Sequence, residues 1–154
     1  MIRLLNFITL DDAEHKLILS WRNHPDVRVW MLYQDEISMN EHLRFIESLK
    51  KRGDKRYFLV QQDDAYIGVI DLTGITENSA ELGIYANPDM RGVGDVLMQA
   101  VIDYAFATLK VRTLIANVFS DNERAKHLYK KFDFTEMNRT VYEKREMITM
   151  ELSQ

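Results

Sequence analysis

The segment from Glu81 to Ala105 limits the possible fold more than any other. A β-rich run, Glu81 to Tyr85, enters Asn87-Pro88-Asp89-Met90-Arg91-Gly92-Val93-Gly94, and Leu97, Ala100, Val101, Tyr104 and Ala105 then recur at helical spacing. Strand, glycine turn and long helix in this order belong to an α/β architecture. Gly92 and Gly94 let the backbone approach a ligand closely, and the amides of the helix's first turn are unpaired donors at its positive end, a combination that binds phosphate. On its own the pattern fits equally well a tight turn that packs helix on strand.

The other elements follow from hydrophobic period and capping residues. Residues 2 to 9 alternate as a first strand, Asp11 or Asp12 caps a helix carrying Leu17, Ile18 and Trp21, and Pro25 ends it. Beyond a short segment through Val29 and Trp30, Ser38 caps a helix in which Leu43, Ile46 and Leu49 recur, bounded by Gly53. Tyr57 to Gln61 and Tyr66 to Leu72 are strands joined by the polar Gln62-Asp63-Asp64-Ala65. Thr113 to Phe119 reads as a buried strand, Asp121 to Lys131 as a short helix, and Phe134 to Val141 and Met147 to Leu152 as closing strands. A chain of 154 residues with 46% hydrophobic content and no linker is expected to form one domain, 1–154, on one mixed sheet.

Composition removes several functions. Without cysteine there is no disulfide, no thiolate metal site and no cysteinyl acyl-enzyme, so any acyl transfer is expected to be direct. His15, His24 and His127 lack zinc spacing, and no metal is expected. A net charge of −4 disfavours nucleic acid. The basic cluster Lys50, Lys51, Arg52, Lys55 and Arg56 reads as a solvated helix end. Neither a signal peptide nor a run near the roughly 18 apolar residues of a membrane span is present, so a cytoplasmic protein without membrane contact is expected.

A second motif narrows the reading. In Asp121 to Phe134, residues Ala125, Leu128, Tyr129 and Phe132 share one helical face, which is expected to meet the sheet. Taken alone, Tyr129 reads as a core aromatic. Together, Arg91-Gly92-Val93-Gly94 and the set Asn122, Ala125, Tyr129, Phe134 resemble the signature of the GNAT family of acyl-CoA-dependent N-acyltransferases. Asp89 stands where that family usually has glutamine or arginine, leaving the backbone cradle as the shared feature, and Asp133 replaces its common glycine. The element order fits the family over nearly the whole chain. The resemblance implies an α/β GNAT fold with a central, mostly antiparallel sheet of about seven strands flanked by about four helices.

It also implies a site. Acetyl-CoA would be the co-substrate, its pyrophosphate held by Met90, Arg91, Gly92, Val93, Gly94 and Asp95. The backbone of Leu82, Gly83 and Ile84 would bind pantetheine and polarise the thioester, and Asn122 would hydrogen-bond the pantetheine arm. Tyr129 matches the family tyrosine that protonates the departing thiolate, and a phenol of pKa about 10 is close enough to a thiol for that transfer. For the base, Glu81 and His42 are the candidates, with a structural role for either, or a water chain, as the alternative.

The amino-terminal third bears on the acceptor. Trp21 to Arg28 with Trp30-Met31, followed by Glu41 to Ile46, looks like the acceptor-side helices of the pseudaminic acid pathway acetyltransferases. By that resemblance the acceptor is the 4-amino group of UDP-4-amino-4,6-dideoxy-N-acetyl-β-L-altrosamine, a precursor of the nonulosonic acid used in flagellin glycosylation. Arg22 would pair with the UDP pyrophosphate while Trp21, Trp30 and Met31 offer apolar surface, unless both tryptophans simply anchor short helices. Acetylation of a protein amino terminus, as in ribosomal-protein acetyltransferases, and a non-catalytic acyl-CoA sensor are the alternatives. The closing strands could pair across subunits as a homodimer.

Overall fold

In the computed structural model, which describes residues 1–154, seven strands form one sheet in the order β1-β2-β3-β4-β5-β7-β6. The strands are β1 (Ile2–Asn6), β2 (Arg56–Gln62), β3 (Ala65–Thr73), β4 (Ser79–Ala86), β5 (Thr113–Phe119), β6 (Thr135–Tyr142) and β7 (Arg145–Ser153). Every pairing is antiparallel except β4 with β5. The helices are α1 (Asp12–Arg22), α2 (Pro25–Arg28), α3 (Met39–Leu49), α4 (Gly94–Asp103) and α5 (Glu123–Lys131).

Side-chain alternation divides the core between the two faces of the sheet. Ile70, Leu72 and Leu82 pack under α4 and α5 with Leu97, Met98 and Tyr129. Leu59 and Val69 face the other way, toward Phe7, Ile18, Trp21 and Ile46 of the amino-terminal layer. The expected first strand stops at Asn6, whose side chain accepts the Ile8 amide and turns Phe7–Thr9 into a tight helical turn. There are five helices rather than about four, because His24 caps and Pro25 opens the separate single turn α2. α4 passes directly into a π-helical stretch, Tyr104–Leu109. Asp133 adopts φ 70, the left-handed conformation a glycine would supply, so the turn into β6 keeps its geometry.

Ser38 caps α3 with a full capping box to Glu41, but the inward stripe is His42, Ile46 and Leu49, and Leu43 is exposed. His42 therefore lies inside the protein. Its Nε2 is 3.1 Å from Nδ1 of His15 on α1, and the two rings meet edge to face beside Phe7. One ring donates and the other accepts, so the two rings cannot both be charged. Burial, and then the neighbouring His15, lowers the His42 pKa from 6.5 to about 4. Below about pH 6.5 the unfolded chain thus binds a proton that the folded chain refuses. Stability is fully present above that pH and falls as the pH drops toward 4. Denaturant unfolding at about pH 7 and about pH 5 is expected to show a loss of roughly 2 kcal/mol, largely absent in His42→Gln. Equal losses in the two proteins would contradict this account.

Candidate active site

β4 and β5 pair only from Ser79 to Glu81 and from Thr113 to Ile115, after which the strands part. β4 continues on β3 to the Gly68–Ala86 pair, and β5 continues on β7 to Phe119, so a notch opens in the middle of the sheet. The Asn87 amide donates to the Ile67 carbonyl at 2.9 Å, which sets the phase of the β3–β4 ladder. Glu81, Gly83 and Tyr85 turn their backbone groups to β3, while Ile84 and Ala86 turn theirs into the notch, with Leu82 at the fork.

The glycine turn follows at once. Gly92 has φ +75, and a Cβ there would meet open space, so its backbone conformation is what requires glycine. α4 begins at Gly94 after Val93, and no side chain caps it. The other helices are each capped, by Asp11, His24, Ser38 and Asn122. The amides of the first turn of α4 are thus left for a ligand, in the arrangement that binds phosphate. Arg91 and Gly92 are exposed beside them, and Met90 closes the preceding turn onto the Asn87 carbonyl. Asp95 bonds Lys131, tying α4 to α5.

Across the notch, Asn122 caps α5 by accepting the Ala125 amide, which leaves its own amide group free. Tyr129, about two turns further along, is buried and packs on Phe134 with ring centroids 5.3 Å apart. Its hydroxyl is held above the ordinary phenol range by burial and then by the negative charges of Asp71 and Glu81.

Those carboxylates stand on the sheet face toward α1. Tyr57, Asp71 and Gly83 form one lateral row across β2, β3 and β4, flanked by Glu81 and Tyr85 on the same face. A Cβ at Gly83 would lie 2.4 Å from Asp71 Oδ2, so the glycine makes the space the carboxylate fills. Burial, and then Glu81, raises the Asp71 pKa to about 7, with Lys55 opposing. Tyr57 and Tyr85 are also raised, by burial first and Asp71 second. Glu81 accepts the Asn117 amide at 2.8 Å, and Asn117 in turn accepts the Thr149 hydroxyl at 2.6 Å. Arg22 of α1 reaches the same cluster. Its Nη2 donates to the Tyr33 carbonyl at 2.8 Å, and its Nη1 is buried with no partner. Burial lowers its pKa against the pull of Tyr85, Tyr57 and Tyr33.

The structure thus brings Glu81, Leu82, Gly83, Ile84, Asn122, Tyr129 and Arg22 around one notch, with Met90 to Asp95 at its end. Two expectations fail. His42 is withdrawn into the His15 pair, and Trp21 is a core residue, 3% exposed, because its turn of α1 faces Leu59 and Val69. Trp30 and Met31 lie in the loop after α2. There Arg145 stacks over Phe119 at 3.7 Å and near Trp30 at 5.5 Å, and donates to the Val29 carbonyl and to Asp121. Asp71, Tyr57 and Tyr85 were not singled out from sequence. The available signal was an acid inside the otherwise apolar strand Ile67 to Leu72.

Residues 3–135 match the family model described as acetyltransferase (GNAT) domain. Acetyltransferase PseH of Campylobacter jejuni serotype O:2 is 52% identical over 135 residues, 88% of this chain and 85% of the relative. Spermidine N(1)-acetyltransferase of Vibrio cholerae serotype O1 is 29% identical over 144 residues, 90% of this chain and 83% of the relative. Among solved structures, the C. jejuni N-acetyltransferase PseH in complex with acetyl coenzyme A matches with a TM-score of 0.85 at 40% identity, covering 100% of this chain and 99% of that one. The V. cholerae spermidine N-acetyltransferase with CoA and spermine matches with a TM-score of 0.88 at 22% identity, covering 100% and 95%, a likeness of fold.

Gly83→Ala tests how tightly the cleft is built. The added methyl is expected to leave the fold intact, to swing the Asp71 carboxylate to another rotamer in a crystal structure, and to lower acetyl transfer by roughly 100-fold through misplacement alone. An unmoved Asp71 would contradict the packing described.

Proposed function

The chain belongs to the GNAT acetyltransferase family, and from that premise we propose that it moves the acetyl group of acetyl-CoA to the 4-amino group of UDP-4-amino-4,6-dideoxy-N-acetyl-β-L-altrosamine. That step lies on the route to pseudaminic acid and flagellin glycosylation. The similarity to PseH over most of the chain supports the reaction. The observation that carries the acceptor is Arg22, a guanidinium in the cleft with a buried, unpartnered nitrogen. Such a donor repels a polyamine and suits a diphosphate, which accepts a planar fork of N–H groups. Trp30 and Met31 then offer apolar surface to the sugar or uracil from the loop above.

The uncapped amides of α4, with Met90 to Asp95 around them, hold the pyrophosphate of acetyl-CoA. The pantetheine arm lies along the Leu82, Gly83 and Ile84 segment, meeting the backbone groups turned into the notch, with Asn122 opposite. In this reading the Ile84 amide faces the thioester oxygen and favours the charge that develops there. Tyr129 gives its proton to the departing sulfur. Its raised pKa keeps that proton in place until a thiolate forms beside it. Glu81, held by Asn117, stands where it can help draw protons out of the cleft. The whole chain, 1–154, acts as one catalytic domain.

No helix is long and apolar enough to cross a membrane, and the proposal places the enzyme in the cytoplasm. It includes a homodimer joined through β6, an edge strand exposed at every residue, for which light scattering should give twice the mass of one chain.

Release of CoA thiol should be followed with acetyl-CoA and the UDP-4-amino sugar, with spermidine and a ribosomal amino-terminal peptide in parallel. Turnover is expected with the sugar alone. Tyr129→Phe should lower kcat by about 10²- to 10⁴-fold with acetyl-CoA affinity unchanged, and Arg22→Met should raise the KM of the UDP sugar rather than that of acetyl-CoA. Turnover restricted to spermidine or the peptide would overturn the acceptor and leave the donor site standing.

A further inference from the structure

We propose that Asp71 is the base that takes the proton from the attacking amine, a step that deepens the reading above and rests on it. Both cleft carboxylates are within reach of the phenol cluster, but they are held differently. Glu81 Oε1 is occupied by the Asn117 amide, and that amide is locked by Thr149. Asp71 has no hydrogen-bond donor within the chain. Its carboxylate rests on Gly83, in the middle of the strand segment whose backbone edge opens into the notch.

The position suits the chemistry. Gly83 immediately precedes Ile84, whose amide points into the notch, so a carboxylate seated on Gly83 stands one residue from the backbone donor assigned to the thioester oxygen. An amine approaching the thioester carbon over this floor meets Asp71 directly. The ammonium N–H bond breaks and a carboxyl O–H bond forms. The freed lone pair forms the C–N bond, the C–S bond breaks, the thiolate takes the Tyr129 proton, and the second N–H proton of the attacking nitrogen passes to the Tyr129 phenolate, restoring the phenol. The carboxyl of Asp71 then releases its proton toward Glu81 and solvent. Net, one amide, one CoA thiol and one proton leave.

The ionisation of Asp71 is set by burial first, then by Glu81, with Lys55 opposing. Tyr57 on β2 and Glu81 and Tyr85 on β4 share its face of the sheet, Lys55 lies ahead of β2, Arg22 of α1 approaches Tyr57 and Tyr85, and Tyr129 senses its charge from the α5 side. Burial and Glu81 raise its pKa to about 7, close to the working pH that favours a general base.

The test is the pH dependence of kcat, measured with whichever amine the wild-type enzyme acetylates, so that a wrong acceptor does not decide it. The wild type should lose kcat as the pH falls through about 7. Asp71→Asn should abolish that limb and lower kcat at neutral pH by about 10²- to 10⁴-fold, with acetyl-CoA affinity unchanged. Glu81→Gln should keep a limb and move it to lower pH, because one negative neighbour is gone. Retention of the limb in Asp71→Asn, activity within about 3-fold of wild type, or loss of the limb in Glu81→Gln alone would each overturn the assignment. Should Asp71→Asn fail to bind acetyl-CoA, Gly83→Ala replaces it. A displaced carboxylate must then lower kcat at least about 10-fold, and an unaltered rate and limb would refute the proposal.

Discussion

The parting of β4 from β5 is the constraint on which the remaining structure depends. Parallel pairing needs two strands side by side, and here it lasts only from Ser79 to Glu81 before each strand follows its other neighbour. Both strands stay anchored, β4 on β3 and β5 on β7, so the opening is held by two intact antiparallel ladders rather than by a flexible loop. The uncapped start of α4 and the capped start of α5 are then delivered to opposite sides of one gap.

A second effect follows from where the gap opens. The face toward α1 crowds half-buried phenols and carboxylates together, with Glu81 held by Asn117 and Asp71 without a donor in the chain. Each group therefore reads the charge of the others. Asp71 raises Tyr57 and Tyr85, Glu81 raises Asp71, and both carboxylates hold the Tyr129 proton in place. Gly83 is what permits this crowding, since any larger residue would occupy the carboxylate's space.

Much of this was legible in the sequence. β5 has the bounds its apolar run implies, Ser38 caps α3, and Asn122 and Tyr129 fall where their helical spacing puts them. These features are local, set by period and by caps. The failures share a different origin. Counting three-residue steps from Leu43 placed Ile46 and Leu49 inward as found but took Leu43 in place of His42, because a histidine paired with another histidine carries no local signature. Trp21 was equally compatible with core and cleft until the sheet beneath it was known. Asp71 depends on a cross-strand partner in β4, and register is a non-local property.

The notch has a consequence for the protein before it meets any substrate. Ile84 and Ala86 present backbone donors and acceptors along a strand in the centre of the sheet, where neighbouring residues are otherwise fully paired. This is a hydrogen-bonding template of the kind that recruits stray extended chains. On the proposed reading, a pantetheine arm lying there would close the template as a missing strand would. Until such a ligand is bound, Ile84 and Ala86 leave the protein with an unpaired backbone edge inside the sheet as well as at its rim.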